Sequence, residues 1–252
     1  MNWLTQYLTR EGPGVPRHVP SKHGLALLGD VVGREWWTLI ELNLLYALCC
    51  LPVVTIPAAQ VAMTRICVTM IEDRNVYLLR DFRETFVSRF WRATAFGAVA
   101  LLAVGAAAYS AVFFAQSAMV HILFVLPMSA SAAIAVFATL AAAHGFVLLA
   151  MGEQSFRAIV RLSLLGALAR PLPALAGFGV VAALWLLHVA FYPASIFMPA
   201  IFNFSYGTLA VTFGVHKAAA SLIASRTASD RDKPAQEEAL DRAFVKKGRT
   251  RT

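Results

Sequence analysis

Charge is scarce in this 252-residue chain: 14% of residues are Asp, Glu, Lys or Arg, where a soluble domain carries about 25%. Cysteine is scarce too, and its three copies, Cys49, Cys50 and Cys67, all fall in apolar stretches. An odd number of buried thiols excludes a disulfide-stapled module. Several motifs are missing altogether. There is no G-x-x-x-x-G-K-[ST] phosphate cradle, no H-E-x-x-H, no paired-Cys metal spacing and no G-x-S-x-G elbow. The six histidines (His18, His23, His121, His144, His188, His216) stand singly. No cofactor or metal is expected, and the chain does not read as an enzyme.

What is abundant is apolar: 59% of residues are hydrophobic, and they come in blocks. Blocks of this kind exclude a disordered chain and are more than one soluble core explains. They predict an all-α fold, a polytopic transmembrane helical bundle whose principal partner is the lipid bilayer.

The net charge of +8 does not point to nucleic acid, because its placement is wrong for a basic binding face. Nine basic residues lie between Lys217 and Thr252, and five (Arg74, Arg80, Arg83, Arg89, Arg92) between Glu72 and Arg92. Residues 93–152 and 171–216 have none. Basic residues gathered in alternate loops follow the positive-inside rule. That pattern predicts six spans with both termini cytosolic.

Residues 1–24, rich in Pro and Gly, read as a flexible leader, 25–216 as the membrane domain and 217–252 as a basic polar tail with a short helix after Pro234. Within the membrane domain, 25–35 reads as a surface helix and Trp36 and Trp37 as a headgroup-level belt. The first span then runs over 36–51, and LPVVTIP makes a tight turn into a second helix, 58–71. Both pieces are shorter than the roughly 20 residues of a full span. A five-span alternative therefore lays 58–71 along the membrane surface. Basic amphipathic stretches, FRETFVSRFWRAT and SFRAIVRLSLLGAL, lead into the third and fifth spans and echo one another faintly.

The stretch LNLLYALCCLPVVTIPAAQVAM, with Asn43, the run from Leu51 to Ile56, and Ala58 and Ala59, resembles the YesL family of bacterial membrane proteins. The Phe-rich basic helix FRETFVSRFWRAT resembles the family's second signature, while Pro57 stands where the family favours Gly. The resemblance covers about residues 25–215. It implies an inner-membrane protein of unassigned molecular function, often linked with carbohydrate uptake, and supplies no catalytic residues.

Ionisable groups within apolar segments are expensive and mark function or tight pairing. Glu41 and Arg65 lie about 7.5 and 10 Å from the same membrane face on a rise of about 1.5 Å per residue. Asn43 and His144 reach similar depths. The four residues predict an inner-leaflet polar cluster, with Glu41 and Arg65 as an ion pair across the first hairpin. Ser131, Ala135, Thr139 and Ala143, spaced by four, predict close helix packing rather than a pore lining. Two functions follow. One is an accessory or scaffold protein associated with sugar-transporter subunits; the other is a small secondary transporter or permease subunit for a polar solute.

Overall fold

Leu25–Cys49 forms helix α1, which breaks its geometry once, at Glu35 (φ −106°, ψ 15°). The break falls where the surface helix was expected to turn into the membrane, one residue before the exposed Trp36 and Trp37. The computed structural model describes residues 24–152 and 154–249, with the backbone alone for 229–249. The expected leader, with Gly24 excepted, lies outside the described residues. After α1 come α2 (Ile56–Ile71), α3 (Leu78–Ala118), α4 (Val125–Met151), α5 (Phe156–Ala169), α6 (Pro171–Ala190) and α7 (Phe204–Arg249). A 3-10 turn, Val53–Thr55, precedes α2, and a π turn, Pro199–Asn203, opens α7. Among the described residues there is no strand.

Five stretches are long and apolar enough to cross a bilayer: Val53–Ile71, Leu78–Ala118, Ile122–Met151, Pro171–Ala190 and Pro199–Ala228. The first of the six expected spans falls short. Beyond its kink, α1 has only residues 36–49, a rise of about 21 Å, below a full hydrocarbon thickness of about 30 Å. Length and composition thus support the five-span count, but with α2 inside the bundle and not along a surface. That helix is the centre of the bundle, with α1, α3, α4 and α7 packed around it, and residues 58, 59, 61–64 and 66–70 are buried. A helix apolar on nearly every side is buried by its neighbours.

The polar ends of several helices meet at one end of the bundle. Arg34 of α1 pairs with Asp73 (2.6 Å) and with Glu35 (3.1 Å). Glu72 pairs with Arg74 and accepts a hydrogen bond from His216 Nε2 of α7 at 3.0 Å. Half-exposed pairs of this kind stabilise little. Their use here is positional: they place the start of α1, the α2–α3 link and the exit of α7 together.

Lipid offers no hydrophobic drive between helices, so close backbone approach has to hold them. α6 and α7 show it. A Cβ at Gly177 would lie 2.7 Å from Val211 Cα, and one at Gly214 would lie 2.2 Å from the Pro173 carbonyl oxygen. By contrast, the far half of α3 packs mainly on α4 and is otherwise bare, with Leu101, Leu102 and Tyr109 each about three-quarters exposed. Phe82, Phe86 and Phe90 follow one another along α3 at spacing four: Phe82 stacks on Phe86 at 6.2 Å, Phe86 meets Phe90 edge-on at 5.7 Å, and Phe82 is buried.

The expected boundary at 217 is corrected. α7 passes it unbroken, Ala218 and Ala219 are buried, and Leu222 and Ile223 pack on the α4–α5–α6 core. The separate short helix after Pro234 is corrected as well, since α7 runs through that proline to Arg249. The stretch is rich in Ala, Glu, Lys and Arg, all strong helix formers, which carry the helix on.

Candidate functional site

Asn43 is the most fully engaged of the four expected polar residues. Its helix buries Leu39, Leu42, Asn43 and Tyr46, a single stripe at helical spacing. From that stripe the Asn43 amide reaches the π turn. Nδ2 donates to the carbonyls of Pro199 (3.1 Å) and Ala200, and Oδ1 accepts from Ser205 N at 2.9 Å. Ala200 O and Ser205 N are the two groups that a π turn would join directly. The amide is inserted between them as a substitute peptide unit, and such insertion is a recognised cause of a local break in a helix ladder.

Arg65 and Glu41 do not form the expected ion pair. Glu41 is exposed, and no salt bridge reaches it among the described residues. Equal depth did not imply equal direction: Glu41 is two residues from both Leu39 and Asn43, about 200° around the helix, and so on the outer face. Arg65 instead turns toward the end of α4, with Nη1 3.4 Å from Ala150 O. Two arginines of α3 converge on the same end. Arg89 Nη1 donates to Leu149 O at 2.8 Å and to Gly152 O, and Arg92 Nη2 donates to Gln154 O. The last carbonyls of a helix lack intrahelical partners and carry its negative dipole end, so guanidinium groups satisfy them twice over. This arginine clamp was missed by sequence reasoning, which counted Arg89 and Arg92 only as positive charge in a loop.

His144 is buried in α4, its Nδ1 2.9 Å from Leu140 O and its ring against Gly166 of α5. No hydrogen bond or ion pair joins any two of Glu41, Asn43, Arg65 and His144 among the described residues. The expected cluster is therefore three separate structural fittings and one outward-facing carboxylate.

What the bundle does enclose is a cavity of about 570 Å³ among α2, α3, α4, α6 and α7. Thr139 and Ala143 from the small-residue stripe of α4 line it, so that half of the stripe faces space rather than a neighbouring helix. No Asp, Glu, Lys, Arg or His lines it. Its polar atoms come from Gln60, Thr64, Thr139, Asn203 and the threonines of α7. The three cysteines are free. No group of His, Cys, Asp and Glu among the described residues is arranged to hold a metal ion.

Fold and site together are those of a multi-pass α-helical membrane protein. Residues 39–111 match a family model described as a protein of unknown function, DUF624. The matched segment holds the Asn43 fitting, the turn at Val53–Thr55, α2 and both α3 arginines of the clamp. No curated protein and no solved structure matches the chain.

Proposed function

We propose that the chain is a YesL-like scaffold of the bacterial inner membrane, which holds a partner membrane protein through the outer face of α1. The observation that carries this reading is Glu41. Trp37, Glu41, Leu44 and Leu48 form one exposed stripe along α1, at spacings of four, three and four. A carboxylate on an apolar stripe within lipid is costly, by roughly 2.5–3.5 kcal/mol at a helix centre. A partner helix that presents a Lys or Arg would offset that cost. The YesL resemblance directs the choice of partner to the permease subunits of carbohydrate-uptake systems.

A cytosolic side for the end that carries the salt bridges is supported by the basic links and the exit of α7 at that same end. With the native cysteines replaced, a cysteine at Gln116 is expected to react with an impermeant thiol reagent from outside, and one at Ser229 is not. The opposite labelling would invert the orientation.

For the scaffold itself, Glu41→Gln is expected to leave the fold intact, since Glu41 has no counter-ion among the described residues. It is expected to weaken co-purification with the membrane partner by more than about tenfold, as removal of one member of a desolvated interfacial charge pair costs about 2–5 kcal/mol. Unchanged co-purification would remove Glu41 from the interface. The competing reading, transport of a polar solute, predicts flux by the purified protein in liposomes. It drew on the faint echo between the two basic amphipathic stretches and on a layer of Glu41, Arg65 and His144 that the structure does not bring together.

A further inference from the structure

We infer that the cavity among α2, α3, α4, α6 and α7 is a binding site for a neutral, single-chain lipid whose head carries a hydroxyl group, held at Asn203. The argument starts from the polar groups of the wall. The Thr64 and Thr139 hydroxyls donate to carbonyls of their own helices, Gln60 O at 2.7 Å and Ala135 O at 2.8 Å. Gln60 Nε2 donates to Thr208 Oγ1 at 3.2 Å. Asn203 differs. Its side chain is buried, and neither Nδ2 nor Oδ1 has a partner. An orphaned buried amide costs about 1–3 kcal/mol per group, and Asn203 lines the cavity, so a ligand that meets it there gains polar contacts.

The chemistry of that place defines the ligand. The amide offers donors and an acceptor side by side, which a hydroxyl group answers with its own acceptor and donor. No charged side chain lines the cavity, so an ionised head would be buried without a counter-ion. The rest of the wall is apolar, with Phe146, Phe178 and Val181 among its residues, and suits an acyl or alkyl chain. The volume lies within the range of ligand pockets, about 300–1,000 Å³. Access is lateral. Val53, Leu101 and Trp185 line the cavity and are exposed at its rim, and α3 and α6 are not among the closely packed helix pairs, so the mouth faces lipid.

Asn203 is kept in this position by the π turn in which it lies, and the turn in turn is held by Asn43. The site is independent of the outer face of α1, so its failure and that of the scaffold reading are separate results.

The test is native mass spectrometry of the full chain in detergent, titrated with 1-monooleoylglycerol, with octadecene and oleate as comparison probes. One bound monooleoylglycerol is expected, with octadecene and oleate each about tenfold weaker, the difference made by a hydrogen-bonded head. Asn203→Leu is expected to abolish the preference for the hydroxylated probe over octadecene. Ala142→Phe, which fills the cavity from α4, is expected to reduce binding of all three. Equal binding of monooleoylglycerol and octadecene by the unaltered protein would overturn the inference, whether or not either variant folds. So would an Asn203→Leu protein that folds and keeps the preference.

Discussion

Asn43→Leu is expected to lower the stability of the bundle by about 2–5 kcal/mol, because it strands the part-buried carbonyls of Pro199 and Ala200 and the buried Ser205 amide. The average interhelical hydrogen bond in a membrane protein is worth only about 0.6 kcal/mol. Asn43 should exceed that average because it completes a backbone ladder instead of adding to one. A leucine cannot close the gap between Ala200 O and Ser205 N, and the π turn must then rearrange. Asn43→Asp, which keeps the acceptor for Ser205 N but turns an oxygen toward two carbonyls, should be no milder. Unfolding in detergent followed by circular dichroism reads the change. A midpoint equal to that of the unaltered protein would show that the π turn holds without Asn43.

Arg89→Met carries the second large effect. Arg89 satisfies Leu149 O and Gly152 O at the end of α4, and hydrogen bonds made by charged groups are worth about 1.5–3 kcal/mol each. Met keeps the length of the stem and removes the donors, so a loss of about 2–3 kcal/mol is expected. Arg89→Lys should recover part of it, as an ammonium supplies charge without the planar fork. Arg65→Met, whose contact to Ala150 O is longer at 3.4 Å, should cost less than Arg89→Met. The order of the three variants in the same unfolding experiment checks the clamp. If Arg65→Met cost as much as Arg89→Met, the two residues would not be acting through the carbonyls they contact.

The architecture was legible in the sequence where apolar runs and punctuation agree. The kink after Glu35 was legible from charge followed by paired tryptophans, and the hairpin turn from Pro52 and Pro57. The polar site was not. Depth along a helix can be counted from residue numbers, but direction around it depends on which stripe the fold buries. Glu41 and Asn43 lie two residues apart and face opposite ways. The arginine clamp depends on α4 ending beside α2 and α3, which no local pattern records. The π turn at Pro199–Asn203 depends on a side chain more than 150 positions away. The tail boundary was misplaced for a similar reason: composition changes at Lys217, but Ala219 still packs in the core shared with α4, α5 and α6.

The central claim is that the outer face of α1 is a docking face for a cationic partner helix. A photo-crosslinking residue placed at Leu44, one turn from Glu41 on the exposed stripe, tests it in native membranes against the same residue at Leu186, a still more exposed apolar position on α6. The account predicts a discrete protein adduct at Leu44 that maps to a membrane helix bearing a Lys or Arg, and lipid adducts alone at Leu186. It further predicts that Glu41→Lys abolishes the Leu44 adduct and that exchanging the partner's cation for Glu restores it. Lipid adducts alone at both positions, or a Leu44 adduct indifferent to the charge at residue 41, would contradict it.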